Sequence, residues 1–201
     1  KIGHPSADYQ TLAIWWNKYA GNRPLYIGES VERTVKEPDL NNPKTNQMEA
    51  KFKLRRMLPN VQGAVLWYAK AVTDNMGNYG STLRNYYWKT PALQPLMPFI
   101  DHKRPKKPRH LEAVWTSDGL VLFWEEPKGK KWSDFAQKYV VYRFAMGEDV
   151  DIDNPAKIVA ITHDKWIKLP YYKGQVRYRY VVTALDRMSN ESRKARKKVW
   201  L

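Results

Sequence analysis

The chain contains no cysteine, which excludes disulfides and thiolate metal sites but leaves the compartment open. It has no apolar run long enough to span a bilayer, so no transmembrane segment is expected. The opening KIGHPSADYQ lacks the apolar core of a signal peptide, and it starts on Lys1 rather than Met, as expected of a processed or excised chain. Histidine is scarce: His4, His102, His110 and His163 are scattered without metal-ligand spacing. The stretch DVDIDN, Asp149 to Asn154, lacks the glycine and the closing glutamate of a calcium loop and reads as an exposed acidic turn. The run PKGKKW has no phosphate-loop spacing. No cofactor and no metal are therefore expected.

Acidic charge is also in short supply. Against 35 Lys and Arg there are 20 Asp and Glu, a net charge of +15. Such a chain attracts polyanions. Two runs supply much of the excess: HKRPKKPRH, His102 to His110, and RKARKK, Arg193 to Lys198. Both have the composition of nucleic-acid patches, but no nucleic-acid module accompanies either. They read as a solvated linker and a solvated edge strand, where lysines guard against sheet-to-sheet aggregation. No nucleic-acid partner is expected.

What is present is apolar and aromatic. Hydrophobic residues make up 43% of 201 positions, enough for one or two globular domains. The pattern changes near residue 101. Before it, helical periodicity alternates with short apolar runs. Leu12, Trp15, Trp16 and Tyr19 fall at i, i+3, i+4 and i+7 and predict a helix with that stripe in the core. Ser6 is its expected N-cap and Gly21 its stop. PLYIG and GAVLWYA (63–69) lack polar alternation, as strands buried on both faces do. Between them lie a loop over 31–43 and a helix started by Asn46 and Glu49, with Ala50, Leu54, Met57 and Leu58 as its stripe. A short helix is expected around 83–88. A strand, a helix and a strand in that order form a parallel unit with a right-handed crossover.

Two such strands need neighbours that these residues do not supply. The first unit therefore reads as the last quarter of an eight-stranded α/β barrel, a fold of about 250 residues. After residue 101 the pattern is period two: LVLFW (120–124), KYVVYRF (138–144), AKIVAIT, KWIKL, VRYRYVVTALD (176–186) and ARKKVWL. Short strands between turn signals predict a β-sandwich. The fold class is thus α/β plus all-β. Residues 1–100 form the C-terminal segment of a (β/α)8 barrel, 101–110 a basic Pro-rich linker, and 104–201 the sandwich.

The second unit resembles a fibronectin type III domain, through Trp124 and YRYVVTALDRMSNES. The resemblance implies that Trp124 is a core residue and that Tyr178 makes a tyrosine corner. Together the two units resemble the C-terminal part of bacterial proteins of the glycosyl hydrolase-like family ten, through LAIWWNKYAGNRPLYIGES and PNVQGAVLWYAKAVTDN. That resemblance implies a glycosidase parent acting on polysaccharide or cell-wall glycan, secreted, periplasmic or at the cell surface. The sequence leaves the oligomeric state open.

Barrel sites lie at the C-terminal ends of the strands, where Glu29 follows PLYIG. The resemblance implies Glu29 as a catalytic carboxylate whose acid/base partner lies on a strand outside this chain. Hydrolysis requires two carboxyl groups, so the chain by itself is expected to be inactive. The other reading of Glu29 is a strand-end charge paired with Arg23 or Arg33. Trp67 and Tyr68, at the end of the last strand, are the candidate sugar contacts; alternation lets only one face inward. The alternative function is a non-catalytic carbohydrate- or protein-binding module using exposed aromatics such as Trp132 and Trp166.

Overall fold

The computed structural model describes residues 1–129 and 135–201. Trp132 lies outside the described residues. The chain divides into two compact units, Lys1–Lys89 and Thr90–Leu201. The composition shift put this joint near 101. The structure puts it before Thr90, because Leu93 packs against the outer face of the second unit's larger sheet.

The first unit is helical around one parallel strand pair. Helix α1 (Tyr9–Tyr19) is followed by β1 (Leu25–Ser30), α2 (Val31–Lys36), α3 (Met48–Met57), β2 (Val61–Trp67), α4 (Ala69–Thr73) and α5 (Tyr79–Thr82). Strands β1 and β2 pair in parallel, with Glu29 opposite Leu66 and Ser30 opposite Trp67. Asp8, not Ser6, caps α1: its Oδ2 accepts from the Thr11 amide at 2.7 Å. Gly21 follows the helix at φ +60°, the left-handed conformation expected of a helix stop. The segment expected as a loop after residue 30 begins instead as α2, which Ser30 caps by accepting from the Arg33 amide. Residues 83–87 form a single π-helical turn.

Two stripes differ from expectation. On α1, Leu12, Trp15, Trp16 and Tyr19 are each about half exposed, and only Ala13 is buried. Nothing in the unit lies over that face. On α3 the buried stripe is Met48, Lys51, Phe52 and Arg55. Met57, expected in the stripe, is exposed. The two cations in the buried stripe have a buried partner, described below. Val31, Met48, Phe52, Ala71, Tyr79 and Leu83 make the small core.

The second unit holds two antiparallel sheets, β3-β4-β7 and β6-β5-β8-β9. The strands are β3 (Arg109–Thr116), β4 (Gly119–Glu125), β5 (Lys138–Ala145), β6 (Ile158–Thr162), β7 (Trp166–Lys168), β8 (Arg177–Leu185) and β9 (Ala195–Trp200). Strand β3 was not legible in the sequence, since its outward residues are mixed and a basic Pro-rich run precedes it. Alternation places Leu120, Leu122 and Trp124 from β4 against Val141, Tyr180, Val182 and Ala184. Trp124 is buried and meets the Tyr139 ring edge-on at 5.4 Å. Tyr178 makes no tyrosine-corner hydrogen bond among the described residues. It lies half-buried at the start of β8, with the Arg143 guanidinium 4.8 Å from its ring centre. The outer face of the larger sheet has its own cover: Val140, Tyr142, Phe144 and Val181 pack with Leu93, Val150 and Ile152. Among the described residues no helix is long and apolar enough to cross a membrane.

Candidate functional site

Strand parity gives the β1–β2 pair two unlike faces. Tyr26, Val65 and Trp67 are exposed on one. The Tyr26 ring lies over Gly63: a Cβ there would come within 2.7 Å of it. Gly63 therefore lets the ring lie flat on the sheet. Because residues two apart share a face, Val65 and Trp67 lie on the Gly63 side. Trp67 ends β2, next to Ser30 at the end of β1. This open face thus carries an aromatic at its C-terminal edge, 52% exposed, and a second aromatic further back. Tyr68, the N-cap residue of α4, is also exposed; the peptide between Trp67 and Tyr68 is cis.

Glu29 is on the other face. Its side chain is wholly buried. Arg55 Nη1 donates to Oε2 at 2.9 Å and the Tyr79 hydroxyl donates to Oε1 at 2.9 Å. The Thr34 hydroxyl lies 3.1 Å from Oε1 and 2.8 Å from the Ser30 carbonyl, so its one proton is shared between them. Lys51 Nζ donates to that same Thr34 oxygen at 2.7 Å. A catalytic carboxylate has to reach substrate, and this one is sealed among helices α2, α3 and α5, which stands against the role of nucleophile. The strand-end reading had a charge partner but the wrong one: the ion pair runs to Arg55, 26 residues on.

The electrostatics follow from burial. Desolvation, then the charge of Glu29, pushes the Tyr79 and Tyr9 hydroxyls well above the usual tyrosine range. Burial pulls the Lys51 ammonium down, and Glu29 partly offsets it. Two buried cations thus surround one buried carboxylate. Arg55, Lys51, Thr34 and Tyr79 were all missed in the sequence. Arg55 and Lys51 sit four apart on α3, which looks like an exposed charged face until the acid they serve is known.

Among the described residues, no group of three or more His, Asp or Glu side chains is placed to hold a metal. The Asp149–Asn154 stretch is a self-satisfied turn, in which Asp151 Oδ1 accepts from the Asp153 amide and Asn154 Oδ1 from the Ala156 amide. In the second unit, Trp166 is exposed on the outer face of its sheet, beside Phe123.

No family model matches the chain. One curated protein, "Glycosyl hydrolase YngK" from Bacillus subtilis (strain 168), is 29% identical over 205 residues, covering 98% of this chain and 38% of that protein. The chain thus spans well under half the length of this relative. Solved structures are similar to about half of the chain. An Fn3-like protein from Clostridium thermocellum is 23% identical, with 48% of this chain and 92% of that one covered and a TM-score of 0.34. The glycoside hydrolase domain of Endo-D from Streptococcus pneumoniae R6 is 15% identical, with 50% and 16% covered and a TM-score of 0.36. What the chain is similar to, along nearly all its length, is part of a glycosyl hydrolase.

Proposed function

We propose that this chain is the C-terminal portion of a longer glycoside hydrolase, comprising the end of a (β/α)8 barrel and a fibronectin type III-like sandwich. The single observation that carries the reading is the alignment of nearly the whole chain with part of YngK. Two features of the first unit support it. One face of the β1–β2 pair and the aromatic stripe of α1 are left apolar and uncovered, as surfaces are that further barrel elements would bury. Trp67 stands at the C-terminal edge, where barrel sites form.

On this reading Trp67 supports a sugar ring on the lumen side, with Tyr26 behind it. Glu29 holds β1 to α3 and α5 from the outer side and positions the strand end. Both carboxyl groups of the hydrolysis come from strands outside this chain, and the chain alone is inactive. The substrate is a polysaccharide or cell-wall glycan met outside the cytoplasm.

The test is kinetic and uses the longer protein. Trp67→Ala should raise KM or lower kcat/KM steeply while leaving the fold intact. Glu29→Gln should act through stability, with residual activity tracking the folded fraction. A Glu29→Gln variant that is fully folded yet inactive would return Glu29 to the role of nucleophile. A second reading, a glycan-binding module, rests on exposed Trp166. It predicts glycan binding by the sandwich that Trp166→Ala abolishes.

A further inference from the structure

The sequence separates two basic runs by some ninety residues, and the fold lays them side by side. Asn190 Nδ2 donates to the Asp101 carbonyl at 3.3 Å. Lys197 is ion-paired with Glu112. These two ties pin residues 101–112 along residues 190–197. Pro105 and Pro108 are buried, so the basic run is docked on the sandwich and not a free linker.

The result is one cationic edge. Lys103, Arg104, Lys106 and Lys107 are exposed on the first run, and Arg193, Arg196 and Lys198 on the second. None of these seven has an ion-pair partner among the described residues. Two acids of this unit are already paired, Glu112 with Lys197 and Glu148 with Lys157. Strand β9 is an edge of its sheet. Arg196 and Lys198 point the same way, about 6.6 Å apart along the strand. Lys198 also sits opposite Arg179 in the ladder, and like charges in that position destabilise a sheet. Concentrating charge there works against stability, so an outside anion is the natural counterpart.

We propose that this edge binds a linear acidic polysaccharide, one that carries a carboxylate on its repeating sugar. The choice of a glycan rests on the function proposed above. An extended row of separated cations suits a polymer with one charge per sugar. Nucleic acid is the weaker fit. Binding single strands relies on open aromatic faces for base stacking, and the exposed ring on this strand, Trp200, already has the Arg177 guanidinium 5.2 Å from its centre.

The experiment is affinity electrophoresis of the 201-residue chain through gels containing polygalacturonate, neutral dextran or single-stranded DNA. Retardation by polygalacturonate alone is expected, weakening steeply with salt. Lys106→Glu with Lys107→Glu, and separately Arg196→Glu with Lys198→Glu, should each reduce it severalfold. The matching Lys→Gln and Arg→Gln pairs give smaller losses and cover any reversal that perturbs folding. Several outcomes overturn the proposal: no retardation at low salt, equal retardation by dextran, stronger retardation by DNA, or one pair silent while the other acts. Turnover by the parent without this binding would sink only the cationic-edge proposal; binding without turnover would sink only the glycosidase reading.

Discussion

Arg55→Met probes the buried network most sharply. The side chains of Glu29 and Arg55 are 0% and 7% exposed, and the guanidinium supplies one of the direct hydrogen bonds to the carboxylate. Taking away the guanidinium leaves the carboxylate without its direct ion pair, held by the Tyr79 and Thr34 hydroxyls with the Lys51 ammonium behind Thr34, and breaking a buried pair in this way costs about 3–5 kcal/mol. Tyr79→Phe removes one hydrogen bond to the same charge, worth about 1.5–3 kcal/mol. Glu29→Gln strands Arg55 instead, but its amide still accepts from the guanidinium. The double change Glu29→Gln with Arg55→Met should cost less than the sum of the two, because both members of the direct ion pair go together and only the Lys51 ammonium, held by Thr34, is left without the Glu29 charge. Amide hydrogen exchange read by mass spectrometry on the whole chain localises the effect, with Leu25–Lys36 and Met48–Met57 losing protection and the sandwich keeping it. If Arg55→Met leaves those segments as protected as wild type, or costs less than Tyr79→Phe, the account of this network is wrong.

Three further outcomes are expected. Gly80→Ala places a Cβ 2.4 Å from the Val72 carbonyl oxygen, a backbone contact that cannot swing aside, and overpacking of this kind costs about 1–3 kcal/mol; exchange in α4 and α5 should rise. Trp124→Ala should cost about 3–5 kcal/mol in urea melts of the sandwich through the cavity it opens, whereas Trp124→Phe should cost less, since the buried indole Nε1 has no hydrogen-bond partner among the described residues. The sandwich should also weaken in alkali. Burial, then Glu126, pushes the Tyr139 hydroxyl up to about 12, and Tyr142 and Tyr180 are raised chiefly by burial as well. Because the folded state holds these protons longer, stability is complete below the unfolded tyrosine value near pH ~10 and falls as pH rises, by at most ~1.4 kcal/mol per pH unit for each tyrosine. A urea midpoint that stays level or rises between pH 9 and 11 would contradict this.

The sandwich was the more legible half. Period-two alternation gave β4 to β9 because one face of each strand meets a core that the sequence itself supplies. Strand β3 escaped because its outward residues, Glu112 and Val114, do not alternate cleanly with Leu111 and Ala113. The order of elements in the first unit was also readable, but its faces were not. The α1 stripe has the right period, yet its aromatics are left about half exposed in the first unit. The α3 stripe was misplaced because Lys51 and Arg55 look solvent-facing, and only the fold shows that they enclose Glu29. A glutamate after an apolar strand gives no sign of which face it takes. Strand parity decides it, and parity is fixed here by Tyr26 lying on Gly63.

The central claim is that this chain completes a glycosidase without being one. The most direct measurement compares hydrolysis of a panel of aryl glycosides and cell-wall polysaccharides by the longer protein and by the purified 201-residue chain. Turnover by the longer protein, none by the chain, and a steep loss of kcat/KM in Trp67→Ala of the longer protein is the predicted result. Turnover by the isolated chain, abolished in its Glu29→Gln variant, would contradict both the fragment reading and the role given to Glu29.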